Sequence, residues 1–225
     1  MSKIKLAVDA VVFGYSNELN VLLVERKYEP FMGGVCLPGG FVLEDESLDK
    51  AVERELMEET GVKVNYLEQL YTFGSPKRDV RERIVSVAYF GLVDRTKITP
   101  IGGTDAAKAY WMPMSEVAEK ILLFDHQEIL KLALERLRNK LSYAPIGFDL
   151  LPHEFLFSDL ENLYTTILGR EIDRRNFRKK IMSLQLVKET GKRVSEGKGR
   201  PAMTYSFDKE NYVKLQNEGF IMQIF

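Results

Sequence analysis

The sequence has one cysteine and two histidines in 225 residues, and these shortages exclude several chemistries at once. A lone thiol, Cys36, cannot build an internal disulfide framework and fits a reducing compartment. Its expected role is that of a small buried hydrophobe. His126 and His153 have no partner spacing that suggests metal ligation or acid–base work, so both are expected to be structural. No run approaches the ~18 apolar residues that a membrane-crossing helix requires. Lys3 and Lys5 precede an apolar stretch in the manner of a signal peptide. Asp9 interrupts that stretch and no small-residue cleavage site follows, so it reads as a strand. The chain is expected in the cytoplasm, without a membrane partner, and it shows no internal repeat or low-complexity tract.

What is present is an ordinary globular composition, 45% hydrophobic and 29% charged, enough to bury a core in one or two domains. The net charge of −1 conceals an asymmetry. Residues 1–150 carry 19 Lys and Arg against 23 Asp and Glu, whereas residues 170–200 carry 11 against 4. A basic block of that density in a weakly acidic chain points to a polyanionic partner. The alternative is a solvated helix face.

Strands are expected at Leu6–Phe13, Val21–Val24, Ile84–Val93 and Tyr110–Met112, with a turn at 14–17. Ser47–Thr60 has apolar residues at helical spacing and a stop at Gly61. A second helix is expected from Asp125, an N-cap with Glu128 three residues on, to about Leu141. Pro145, Gly147 and Pro152 mark a boundary, giving domains at 1–142 and 153–225 with a linker at 143–152. Beyond it, Ser158 with Glu161 is expected to cap a helix that Gly169 ends. Asp173 caps a basic helix from Arg174 to Leu184, and Leu186–Val194 and Met203–Phe207 flank a Gly/Lys tip at Ser195–Arg200.

The segment from Gly40 to Val62 is the most informative. Glu55, Glu58 and Glu59 lie at i, i+3 and i+4 and project from one helix face. Three like charges there repel one another unless a hard cation sits between them, and Mg²⁺ (or Mn²⁺) takes oxygen ligands with substrate phosphates completing its shell. Arg54, on a neighbouring face, is placed to pair with Glu46 and fix the loop to the helix. Gly39 and Gly40 permit close backbone approach.

This segment resembles the Nudix box, G-x5-E-x7-R-E-U-x-E-E-x-G-U with U aliphatic, at every defined position: Gly40, Glu46, Arg54, Glu55, Leu56, Glu58, Glu59, Gly61 and Val62. The resemblance implies an α/β/α sandwich with a mixed sheet, metal ligands Glu55, Glu58 and Glu59, and a catalytic set of Glu46, Arg54, Glu58 and Glu59. Either Glu58 or Glu59 would act as base. The implied reaction is metal-assisted hydrolysis of a nucleoside diphosphate derivative. Leu37-Pro38-Gly39-Gly40 and the stretch from Phe73 through Arg78, Asp79 and Arg83 to Tyr89 resemble the branch that handles ADP-ribose. Arg26, Gly39, Gly40, Arg78 and Arg83 are the expected substrate contacts, with Arg81 a further candidate.

The C-terminal pattern of helix, turn, basic helix and hairpin suits a winged helix-turn-helix. Arg174, Arg175, Arg178 and Lys179 crowd a helix whose apolar side is Phe177, Ile181, Met182 and Leu184. Lys192, Arg193, Lys198 and Arg200 belong to the hairpin, where they are placed to reach an adjacent groove or backbone. Arg174, Arg175, Arg178, Lys179, Lys198 and Arg200 are the expected DNA contacts. Together the halves resemble the Nudix-related transcriptional regulators, an α+β architecture of Nudix domain followed by winged helix. That resemblance implies a homodimer on double-stranded operator DNA, released by a small effector with a diphosphate or sugar. Members often lack box carboxylates; this sequence keeps all of them. A plain Mg²⁺-dependent pyrophosphatase is therefore the rival expectation.

Overall fold

The strand after Lys5 is longer than its apolar run suggests. In the computed structural model β1 spans Lys5–Ser16 and is buried without interruption from Ala7 to Tyr15, as befits a strand covered on both faces. Residues 3–64, 66–103, 105–195, 201–218 and 224 are described, and the chain divides into two units, Met1–Arg136 and Leu137–Phe225.

In the first unit β1 pairs with β2 (Glu18–Arg26) through a hairpin in which Asn17 alone separates the paired Ser16 and Glu18. Asn17 takes φ 64°, the left-handed conformation its short side chain tolerates. The turn thus lies beyond the expected Gly14–Tyr15, which continue the strand. On its other side β1 runs parallel to β6 (Ile84–Val93), and β6 pairs antiparallel with β5 (Tyr66–Phe73). The short β3 (Val35–Cys36) and β4 (Gly39–Phe41) and the longer β7 (Ala106–Pro113) complete a mixed seven-stranded sheet. Burial pushes the Cys36 thiol up to about 12, consistent with an unreactive core residue.

Residue parity along β1 sets the layers. Val8, Ala10 and Val12 pack with Ala51, Val52 and Leu56 of α1 (Leu48–Thr60). Asp9, between them, turns to the opposite face and meets His126 at the start of α3 (His126–Leu141); a single turn, α2 (Met114–Val117), follows β7. Helix α1 begins at Ser47, whose hydroxyl accepts from Lys50 N, and ends at Gly61 with φ 66°.

The second unit has a three-stranded antiparallel sheet of β8 (Phe155–Leu156), β10 (Ala202–Phe207) and β9 (Val187–Val194). Helices α4 (Phe157–Leu168) and α5 (Arg174–Ser183) form the helix-turn-helix, and α6 (Lys209–Asn217) follows the sheet. This is the winged-helix arrangement. At the start of α4 the Asp159 carboxylate accepts from Leu156 N at 2.8 Å, replacing the expected Ser158–Glu161 cap. Asp173 caps α5 as expected, accepting from Asn176 N at 3.0 Å. Residues 143–152 do not hang free: Ala144, Ile146, Phe148, Leu150 and Leu151 are all buried. Among the described residues no helix is long and apolar enough to cross a membrane.

Candidate functional site

The Gly40–Val62 loop and helix are drawn together by one guanidinium. Arg54 Nε and Nη2 donate to the two oxygens of Glu46 at 3.0 and 2.7 Å, and Nη2 also donates to Phe41 O at 3.0 Å. Its Nη1 reaches Glu55 at 2.7 Å and Glu58 at 3.2 Å. Glu46 accepts in addition from Leu43 N at 2.9 Å, so the loop is tied to the helix at both ends of one carboxylate. The hydrogen bond from Arg54 holds Glu46 below the usual carboxylate range.

Glu59 points the other way, inward. It is buried, and its Oε2 accepts from Gly39 N at 2.9 Å. Burial, reinforced by the like charges of Glu55 and Asp105, pushes it up to about 8 against the opposing pull of Gly39 N and Arg26. Burial also raises Glu55. Register explains the glycines here. Gly39 lies opposite Asp9 and Gly40 opposite Val8, and a Cβ on Gly39 would stand 2.2 Å from Val8 O. On Gly40 it would stand 2.3 Å from the Glu55 carboxylate.

Among the described residues, no three His, Cys, Asp or Glu side chains are gathered tightly enough to cage a metal. The reason is local: Arg54 holds Glu55 and Glu58 on one side while Glu59 is turned to Gly39.

The expected substrate arginines separate. Arg26, at the end of β2, lies near enough to Glu59 and Cys36 for its charge to oppose the upward shift that burial imposes on both. Its Nε is buried without a hydrogen-bond partner. Arg78 is enclosed: its side chain is 5% exposed, with Nη2 2.9 Å from Asp9 and Nε and Nη2 on Asp125 at 2.9 and 2.8 Å. Arg83 Nη1 lies 3.4 Å from Ser75 O and 3.3 Å from Ile84 O. Arg81 forks onto Asp79 and stacks over Phe31 and Phe124.

Behind Gly39 lies a buried polar cluster that the sequence reading did not assemble. Asp9 accepts from Ser86 Oγ at 2.6 Å and from Arg78, with His126 Nε2 at 3.4 Å. His126 Nδ1 accepts from Leu37 N at 2.9 Å, which places the imidazole proton on Nε2, toward Asp9. Burial would raise Asp9, but His126, Arg78 and Ser86 outweigh it and hold the carboxyl well below its ordinary range. Asp125, expected as an N-cap, directs its carboxylate to Arg78 instead. The available signal was Asp9 itself, the one charge inside an otherwise apolar strand.

In the second unit the basic residues of α5 are not equivalent. Arg175 and Lys179, four residues apart, are exposed and have no hydrogen-bond or ion-pair partner among the described residues. Arg174 contacts Asn162 at 3.1 Å and Glu161 at 3.6 Å. Arg178 lies over Phe157, 4.5 Å from the ring centroid, and donates to Tyr205 OH at 3.1 Å. Lys192 pairs with Glu154 at 2.7 Å. Lys198 and Arg200 fall outside the described residues.

Residues 3–133 match the model of the NUDIX domain, and residues 147–207 that of the NrtR DNA-binding winged helix domain. The ADPR responsive transcriptional repressor NtrR of Acinetobacter baylyi is 33% identical over 210 residues, covering 92% of this chain and 83% of that protein. An ADP-ribose pyrophosphatase of Methanocaldococcus jannaschii is 34% identical over 126 residues, 56% of this chain and 70% of that protein. Shewanella oneidensis NrtR, crystallised with a 27mer DNA, superposes with a TM-score of 0.82 at 33% identity, covering 96% of this chain and 97% of that one. The NUDIX domain of the same protein, crystallised with ADP ribose, gives 0.57 at 40% identity over 61% of this chain and 90% of that one. With both domain models matched in this order and the likeness extending through sequence and fold, the chain belongs to the NrtR family, in which a Nudix domain precedes a DNA-binding winged helix.

Proposed function

We propose that this chain is an ADP-ribose-responsive transcriptional repressor, acting in the cytoplasm as a homodimer on double-stranded operator DNA. The observation that carries the reading is the union of two features in one chain. A complete Nudix loop and helix sits in the first unit, and the second presents a basic helix with Arg175 and Lys179 open to solvent. Likeness to the Acinetobacter repressor over 92% of this chain and 83% of that protein supports it. A duplex from upstream of the protein's own neighbouring genes should be bound sequence-specifically in fluorescence anisotropy, and ADP-ribose should release it. Failure to discriminate that duplex from a scrambled one at moderate salt, in every effector state, removes the proposal. Release requires ADP-ribose to bind the DNA-free form more tightly, so operator DNA must weaken ADP-ribose binding by the same factor.

The Glu55, Glu58 and Glu59 set fits a divalent cation by its chemistry. All donors are carboxylate oxygens, and Glu59 is pushed up by burial and then by the like charges of Glu55 and Asp105, which a cation would offset. Arg54 Nη1 engages one oxygen each of Glu55 and Glu58, which leaves the second oxygen of each for a cation, while Nε and Nη2 hold Glu46. Bound Mg²⁺ or Mn²⁺ would neutralise diphosphate charge and activate a water.

The undamaged box favours a second reading in which the chain also hydrolyses ADP-ribose. Coupled phosphate release should then depend on Mg²⁺ and vanish in Glu58→Gln and Glu59→Gln. Metal-dependent turnover absent across a panel of nucleoside diphosphate derivatives would leave binding as the domain's role.

A further inference from the structure

We infer that Arg178 is a positioning residue which braces the basic helix against the wing, and that phosphate contact falls to Arg175 and Lys179. The inference rests on the DNA-binding reading above and assigns roles within it.

Spacing on α5 alone makes the cations Arg174, Arg175, Arg178 and Lys179 look interchangeable, and their contacts separate them. The guanidinium of Arg178 stands 4.5 Å from the centroid of Phe157, the first residue of α4, and 5.8 Å from that of Tyr205 in β10. Its Nη2 donates to Tyr205 OH at 3.1 Å. The two rings meet edge to face, with centroids 5.6 Å apart and an interplanar angle of 83°. Phe157 also meets Phe177, the residue preceding Arg178, at 6.3 Å. Tyr205 is fixed on both sides, paired with Phe155 of β8 and Glu189 of β9.

Three elements therefore converge on one guanidinium: the first helix of the motif, the second helix and the central strand of the wing. A planar cation suits this place because it can stack on one ring while its N–H edge donates to the hydroxyl of the other. Arg178 is exposed, but one face of its guanidinium lies on Phe157 and its Nη2 is held by Tyr205, which fixes its orientation. Arg175 and Lys179 have no such engagement and share one side of the helix at i, i+4. The apolar side, Phe177 and Ile181, is buried in the unit's core. Arg178 thus sits at the border between the packed face and the open cationic face, where a brace fixes the angle at which Arg175 and Lys179 are presented.

A phosphate contact and a brace differ in their response to salt. Each phosphate neutralised adds about 0.9 to the slope of log affinity against log salt, so removing one contact should lower that slope by about 1. In the full-length protein, Arg175→Ala and Lys179→Ala should each flatten the slope by about that amount. Arg178→Met should weaken operator binding about tenfold with the slope unchanged, the loss expected for a stacked cation and its hydrogen bond. Tyr205→Phe should weaken binding in the same way, and the double variant should lose less than the product of the two. Arg178→Lys, which keeps a cation over Phe157, should recover part of the affinity. A slope lowered by about 1 in Arg178→Met, or affinity equal to the unmodified chain, overturns the inference.

Urea unfolding of the same four proteins separates this from the DNA reading. Coupling between positions 178 and 205 in stability supports the brace even if no duplex is bound, and strict additivity there overturns it.

Discussion

Arg78 Nη2 lies 2.9 Å from the Asp9 carboxylate, an ion pair with both side chains under 10% exposed at the centre of the first unit. Asp125 completes the pairing of Arg78 from the start of α3. Removing one partner of a buried pair leaves an uncompensated charge, which typically costs about 3–5 kcal/mol. Asp9→Asn should therefore destabilise the first unit by about that amount, read as a fall in urea midpoint. Arg78→Met should do likewise. Stability within about 0.5 kcal/mol of the unmodified chain would show that this cluster carries little of the fold.

Acid should act through the same carboxyl. Asp9 is held below its ordinary range in the folded chain, so below the unfolded value of about 3.9 the unfolded state binds the extra proton first. The stability Asp9 contributes is fully present above about pH 4 and is lost as pH falls through the folded value. Between pH 5 and 2 the unfolding free energy should decline less steeply in Asp9→Asn than in the unmodified chain. Parallel declines would contradict the pairing.

The Arg54–Glu46 fork predicts a local effect. Lysine cannot donate to both Glu46 oxygens while also reaching Phe41 O, so Arg54→Lys should loosen residues 41–46 without unfolding α1. Leu43 N–H, bonded to Glu46 at 2.9 Å, is the reporter. Its hydrogen exchange should speed about tenfold, equivalent to ~1.4 kcal/mol of lost protection. Unchanged exchange at Leu43 would mean that the loop holds its shape without the fork.

Gly40 tests the carboxylate arrangement. An alanine Cβ would stand 2.3 Å from the carboxylate of Glu55, a side chain only 13% exposed and bonded to Arg54. Gly40→Ala must move that carboxylate, an overpacking strain of about 1–3 kcal/mol. Calorimetric titration with ADP-ribose and Mg²⁺ should show affinity reduced about tenfold or more, with α1 retained by circular dichroism. Full affinity in Gly40→Ala would place Glu55 outside the binding site.

Much of this was legible in the chain because it depends on local chemistry. Gly61 ends α1 in a left-handed residue as its position in the chain suggests, and Arg54 on the helix could be paired with Glu46 of the preceding loop. Asp173 caps α5 for the same reason. Other elements escaped the sequence reading. The β5 segment Tyr66–Phe73 lacks clean alternation because its pairing with β6 is irregular between Gln69 and Tyr71. The two-residue β8 exists only because β10 lies beside it, and α6 follows an Asp208 cap that no strong apolar stripe announces. Residues 143–152, whose prolines and glycine resemble a linker, supply buried side chains to the second unit.

By itself the sequence determined the Nudix loop and helix, the succession of a Nudix domain and a winged helix, and the sign of the charge on α5. The first two rest on the resemblance of motifs to those of a known family and the third on composition, all of which are fixed along the chain. Only the tertiary structure decided which charges are open and which are engaged. Arg78 and Arg178 look like phosphate ligands in one dimension, yet one is enclosed by Asp9 and Asp125 and the other rests on Phe157 and Tyr205. Their partners lie up to 69 residues away, and a charge is assigned its role by the groups that surround it in space.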